Sequence, residues 1–160
     1  MRRIHLIGHS MGSEVVANAV DRLQAANVQL AFAQVVLAAP DIDWRLFRRD
    51  VLPILTARAQ RVTVYASNAD EALRASRVAN GVWRLGLGGD SLVVLPGMDT
   101  VDATDVRTDL LGHSPFPSTP FLNDFAALLT TGVAPSAQPR RLLRVPKGSL
   151  AFWRFRPPSP

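Results

Sequence analysis

Ser10 stands in "IHLIGHSMGSE" (residues 4–14), where a short apolar run, Ile4-His5-Leu6-Ile7, gives way to Glu14-Val15-Val16-Ala17-Asn18-Ala19-Val20 with its apolar positions at helical spacing. Only a few residues separate the predicted strand from the predicted helix, so the chain must reverse sharply. A turn that tight favours residues without a Cβ near its apex, and Gly8 and Gly12 stand on either side of Ser10. The result is G-x-S-x-G, the pattern of a nucleophile elbow. A serine hydroxyl is a weak nucleophile near neutral pH until a base takes its proton. An elbow holds it above the sheet and aims the Met11 N–H and the start of the next helix at the place where an oxyanion would form. The plainer reading of the same string is a strand-to-helix turn with a capping serine.

The base must come from His5, His9 or His113, the only histidines in the chain. An imidazole suits the task because near neutral pH it both accepts the serine proton and returns it to a leaving group. His5 falls inside the first predicted strand, with its side chain on a sheet face, and is read as structural. His9 is read as bracing the elbow. His113 remains, in Leu111-Gly112-His113-Ser114-Pro115, where Gly112 permits a tight approach and Pro115 stiffens the exit. The acid that orients it is assigned to Asp70, in the loop Ser67-Asn68-Ala69-Asp70, with Asp43 as the alternative and Asp41 and Asp102 behind it. Asp70 can equally cap a helix that begins at Glu71. Histidines at 5, 9 and 113 make no convincing ligand cluster, so neither metal nor cofactor is expected, and a chain without cysteine has no disulfide or thiolate site.

Positioning these residues requires elements that alternate. Helical pattern over about residues 13–25 is followed by Gln34-Val35-Val36-Leu37-Ala38-Ala39, an apolar run suited to a strand buried on both faces and ended by Pro40. Asp43 can cap a helix over 44–58 that Pro53 should divide at Leu52. A β-branched strand over 61–66, a helix over 71–79 and a glycine-rich loop over 81–89 come next. Ser91–Leu95 and Met98–Asp102 both read as short strands, and either can join the main sheet. A last helix over 121–131 turns Phe121, Phe125, Leu128 and Leu129 to one side. Strand and helix in alternation predict an α/β fold, a mostly parallel sheet flanked by helices. Ligands of such sheets bind at the carboxyl ends of the strands, where Ser10, Asp70 and His113 would all lie.

The bulk properties fit one folded unit: 160 residues, 48% hydrophobic, 19% charged, and no apolar run approaching the ~20 residues of a membrane span. The opening Met1-Arg2-Arg3 leads into too short and polar a run for a secretory signal, which leaves the cytoplasm as the default expectation. The net charge of +5 is uneven, because Arg140, Arg141, Arg144, Lys147, Arg154 and Arg156 meet no acidic residue after position 139. The organisation expected is a folded part over 1–132 and a basic, Pro-containing tail over 133–160. Phe152, Trp153 and Phe155 in that tail are expected to lie back on the body with the arginines solvated, so nucleic-acid binding is the least favoured role.

Taken together, "LIGHSMGSE", "VVLAAPDID", "RVTVYASNADEALRAS" and "DLLGHSPF" resemble a bacterial family of uncharacterised α/β-hydrolases, serine-esterase-like proteins grouped as a domain of unknown function. The resemblance runs from about residue 3 to residue 131. It implies that Ser10, Asp70 and His113 occupy the nucleophile, acid and base positions, in the chain order Ser, Asp, His. Family members carry further strands and helices before the elbow strand, one of whose loops donates the second oxyanion N–H. This chain is therefore expected to hold a partial α/β-hydrolase fold, a truncated, C-terminal half lacking the N-terminal strands. The function expected is a serine hydrolase that acts on small-molecule carboxylic esters through an acyl-enzyme. The alternative is a catalytically silent fragment that pairs with a partner or with itself through the exposed edge strand over residues 3–7.

Overall fold

In a computed structural model of the chain, residues 3–106 and 113–156 are described. Leu111 and Gly112, which lead into His113, lie outside the described residues.

The alternating pattern folds into a six-stranded sheet in the order β1-β2-β3-β4-β6-β5. The strands β1 (His5–His9), β2 (Gln34–Ala38), β3 (Val62–Ala66) and β4 (Asp99–Asp102) run parallel to one another. β6 (Leu150–Arg154) joins β4 in parallel, and β5 (Leu143–Lys147) closes the sheet antiparallel to β6. Every residue of β2 and β3 is buried, as unbroken apolar strands require when helices cover both faces. The register places His9 opposite Ala38, Ala38 opposite Tyr65, and Ala66 opposite Asp102. The carboxyl ends of the first four strands therefore finish within about a residue of one another, and the loops that follow share one rim.

Neighbouring residues of a strand point to opposite faces, so β2 separates two cores. On one face Val35 and Leu37 pack with Ala17 and Val20 of α1 (Gly12–Ala25) and with Phe47 and Leu55. Phe47 and Leu55 come from a continuous helical path made of α2 (Trp44–Leu46), a π-helical turn (Phe47–Val51) and α3 (Leu52–Arg58). The path changes pitch at the expected place, the π-helical turn ending at Val51 and Pro53 standing in the first turn of α3. On the other face Val36 and Ala38 meet Phe121 and Leu128 of α5 (Thr119–Thr131). Burying an aromatic or leucine side chain of this kind contributes about 1.5–3 kcal/mol. Leu73 of α4 (Glu71–Asn80) packs on Ala39 and Leu87 beside the rim.

The structure departs from the sequence reading at two places. Residues 92–95 form no strand, and the second edge of β4 is taken by β6, from 50 residues further on. The segment read as a basic tail thus supplies two strands of the sheet. Phe152 and Phe155 are buried as expected, but Arg140 is buried too. Its guanidinium donates from Nε to Asp124 Oδ1 at 2.8 Å, and Asp124 also accepts the Tyr65 hydroxyl at 2.6 Å. No helix of the described residues is long and apolar enough to cross a membrane.

Candidate active site

Ser10 follows β1 directly and has a positive φ of 53°, which a residue with a Cβ adopts only at a cost of about 1–3 kcal/mol. Three backbone hydrogen bonds hold it there. Its N–H donates to Ala38 O at 3.0 Å, and its carbonyl accepts from Ser13 N at 3.0 Å and Asp41 N at 3.2 Å. Ala39, at the end of the neighbouring strand, is also left-handed, with φ 45°, so strain collects at the adjoining ends of β1 and β2. Sequence reasoning missed Ala39, because nothing in "LAAPD" marks an alanine as left-handed.

The two elbow glycines differ. A Cβ on Gly8 would stand 3.0 Å from Ser13 Cα and 3.2 Å from Leu37 Cδ2, so this position needs glycine for the helix to fold back over the strand. A Cβ on Gly12 would meet nothing within 4 Å, and the expectation that crowding requires both glycines is corrected for Gly12. Gly12 opens α1 on its outer side, where there is space. Met11 is the N-cap of α1, its side chain exposed, and its amide lies at the start of the helix, where Ser13 and Glu14 already donate to Ser10 O and Met11 O.

His113 and Asp70 are joined: His113 Nδ1 lies 2.8 Å from Asp70 Oδ2. Asp70 is fully buried, whereas the His113 side chain keeps 15% of its surface exposed. The other carboxylate oxygen, Oδ1, accepts the Leu73 N–H at 2.8 Å, so Asp70 caps α4 and holds the imidazole at once. With Asp70 as a carboxylate, which can only accept, the shared proton sits on Nδ1 and Nε2 is the ring nitrogen able to accept. The His113 ring also rests against His9, the residue before Ser10, with centroids 5.1 Å apart and planes inclined at 41°.

The other carboxylates are engaged elsewhere. Asp43 caps α2 by accepting Arg45 N at 2.8 Å, and Asp41 accepts the Ser76 hydroxyl at 2.8 Å and pairs with Arg84 Nε at 3.0 Å. Asp102 pairs with Arg154 Nη2 at 2.8 Å. Of the four acids weighed from sequence, Asp70 is the one bonded to His113. His5 lies within β1, away from the rim. Among the described residues no three His, Asp or Glu side chains gather as a metal-holding group.

Beside His113, residues Ala39, Ala66, Ala103 and Pro115 line a cavity of about 10 Å³, space for little more than a water molecule. Two larger grooves, of about 470 and 420 Å³, include none of Ser10, Asp70 and His113 in their walls.

A family model described as an alpha/beta hydrolase of unknown function (DUF900) matches residues 1–131. No curated protein and no solved structure shows a match.

Proposed function

The chain belongs to this family of α/β hydrolases of unknown function, and from that premise we propose that it is a serine hydrolase acting on small-molecule carboxylic esters. The observation that carries the reading is the 2.8 Å bond between His113 and a fully buried Asp70, beside the strained turn that presents Ser10. In the reaction His113 Nε2 takes the Ser10 proton as Oγ attacks the ester carbonyl, while the Met11 N–H stabilises the oxyanion. Asp70 keeps the proton on Nδ1 and offsets the charge of the imidazolium that forms. His113 then protonates the departing alcohol, leaving Ser10 acylated. A water deprotonated by the same Nε2 releases the acid and restores the serine.

A second reading draws on the outer edge of β1. Among the described residues β1 pairs only with β2, and Ile4 and Ile7 beside that edge are 41% and 45% exposed. A catalytically silent chain that pairs through this strand would show these features too. Hydrolysis of p-nitrophenyl acetate separates the two. The hydrolase reading expects turnover by the intact chain that falls to the uncatalysed background in Ser10→Ala. Turnover unchanged by that substitution, or none at all in a chain that self-associates with concentration, contradicts it.

A further inference from the structure

We propose that His9 is a positioning residue for His113, setting the tilt of the base so that its Nε2 faces Ser10. The proposal rests on the serine-hydrolase reading given above and assigns to the elbow a second task, beyond presenting the nucleophile.

A hydrogen bond to one ring nitrogen fixes a point and a direction, but it lets an imidazole swing about the bond. The bond from His113 Nδ1 to Asp70 Oδ2 is of this kind. A surface against the ring stops the swing, and His9 supplies one, its ring centroid 5.1 Å from that of His113. The backbone of His9 is well held, being paired with Ala38 as the last residue of β1. It also leads directly into Ser10, whose N–H is bonded to Ala38 O. One short stretch of backbone thus carries both the nucleophile and the ring on which the base rests. Any shift of the elbow moves the two together.

His9 is itself clasped. Phe116, three residues beyond His113, stands edge-on to the His9 ring at 5.5 Å and 86°. Phe116 in turn packs edge-on against Phe121 of α5, at 5.1 Å. Residues 113–116 therefore meet the elbow twice, with His113 and Phe116 both against the His9 ring and Phe116 packed on Phe121 of the α5 core. A histidine that only braced the turn would need neither contact.

The test uses the full chain with His9→Phe, which keeps a ring, and His9→Ala, which removes it; His9→Asn serves as the removal variant should His9→Ala not fold. The first readout needs no substrate: the proton NMR resonance of His113 Nδ1–H. It should be resolved in the wild type and in His9→Phe, and broadened away by exchange in the removal variant. The second is p-nitrophenyl acetate kinetics, in which removal lowers kcat by roughly 10- to 100-fold with KM within about twofold, and His9→Phe restores kcat to within about threefold. The proposal is overturned if the removal variant keeps both the resonance and kcat, or if His9→Phe behaves as the removal variant does. A wild type without Ser10-dependent turnover sinks the hydrolase reading instead, and the resonance still decides whether His9 holds His113.

Discussion

Two buried carboxylates, Asp70 at the rim and Asp124 in the α5 core, are built from the same chemistry to opposite ends. Asp124 is 4% exposed and receives the Tyr65 hydroxyl and two donors of Arg140, Nε at 2.8 Å and Nη2 at 3.1 Å. Burial works against the charge on Arg140, but the hydrogen bond and the attraction of Asp124 outweigh it and hold the guanidinium above its usual range. Burial, aided by the Asp124 charge, also pushes the Tyr65 phenol well above the usual phenol range. Neither the Tyr65 phenol nor the Arg140 guanidinium changes its charge near neutral pH. Asp70 is as deeply buried, yet its partner is an imidazole, a group that can both take up and give back a proton, whose side chain keeps 15% of its surface exposed. A permanent cation seals a carboxylate into the fold, whereas a partly exposed imidazole leaves its effect available for chemistry.

Substitutions should pull these two roles apart. The largest effect is expected from Asp70→Asn, which still caps α4 but no longer holds the proton on Nδ1: kcat for p-nitrophenyl acetate should fall by about 10⁴-fold with little change in melting temperature. An equal loss of stability and activity would erase the distinction. Asp124→Ala should do the reverse. It strands the Arg140 guanidinium in the core and should lower stability by about 3–5 kcal/mol in urea unfolding, while kcat per folded molecule is kept. The smallest effect sharpens the picture of the sealed cluster. The Tyr65 phenol has a folded pKa above its unfolded value of about 10, so its contribution is fully present below about pH 10 and is lost as pH rises through the folded value. Melting temperature should therefore decline in alkali, and Tyr65→Phe should flatten that decline at a cost of about 1 kcal/mol at neutral pH.

The same contrast explains what the sequence made legible. Ser10, Asp70 and His113 are pointed to by the G-x-S-x-G pattern, by the choice among three histidines and by the rule that ligands bind beyond the carboxyl ends of strands, all of which can be read from sequence. The sealed cluster carries no such mark, because Tyr65 sits inside a β-branched strand and Asp124 inside a helix. One signal was present: Phe121, Asp124 and Leu128 share the buried face of α5, and a carboxylate at a core position demands a partner. The β5–β6 hairpin was also missed, masked by Arg144, Pro146 and Lys147. Its turn is nonetheless written as Gly148-Ser149, with Gly148 at φ 61°, and Pro146 is tolerated because β5 is the last strand of the sheet. Residues 91–95 looked like a strand because they are apolar. The second edge of β4 pairs with β6 instead, and Leu92 packs with Phe152 of β6 and Ala66 in a small core.

Covalent labelling with a fluorophosphonate, read by peptide mass spectrometry, tests most directly whether an Asp70-held His113 activates Ser10. The account predicts a single adduct on Ser10, formed about 10²-fold or more slowly in His113→Ala. An adduct on another residue, or labelling of Ser10 at the unaltered rate without His113, would contradict it.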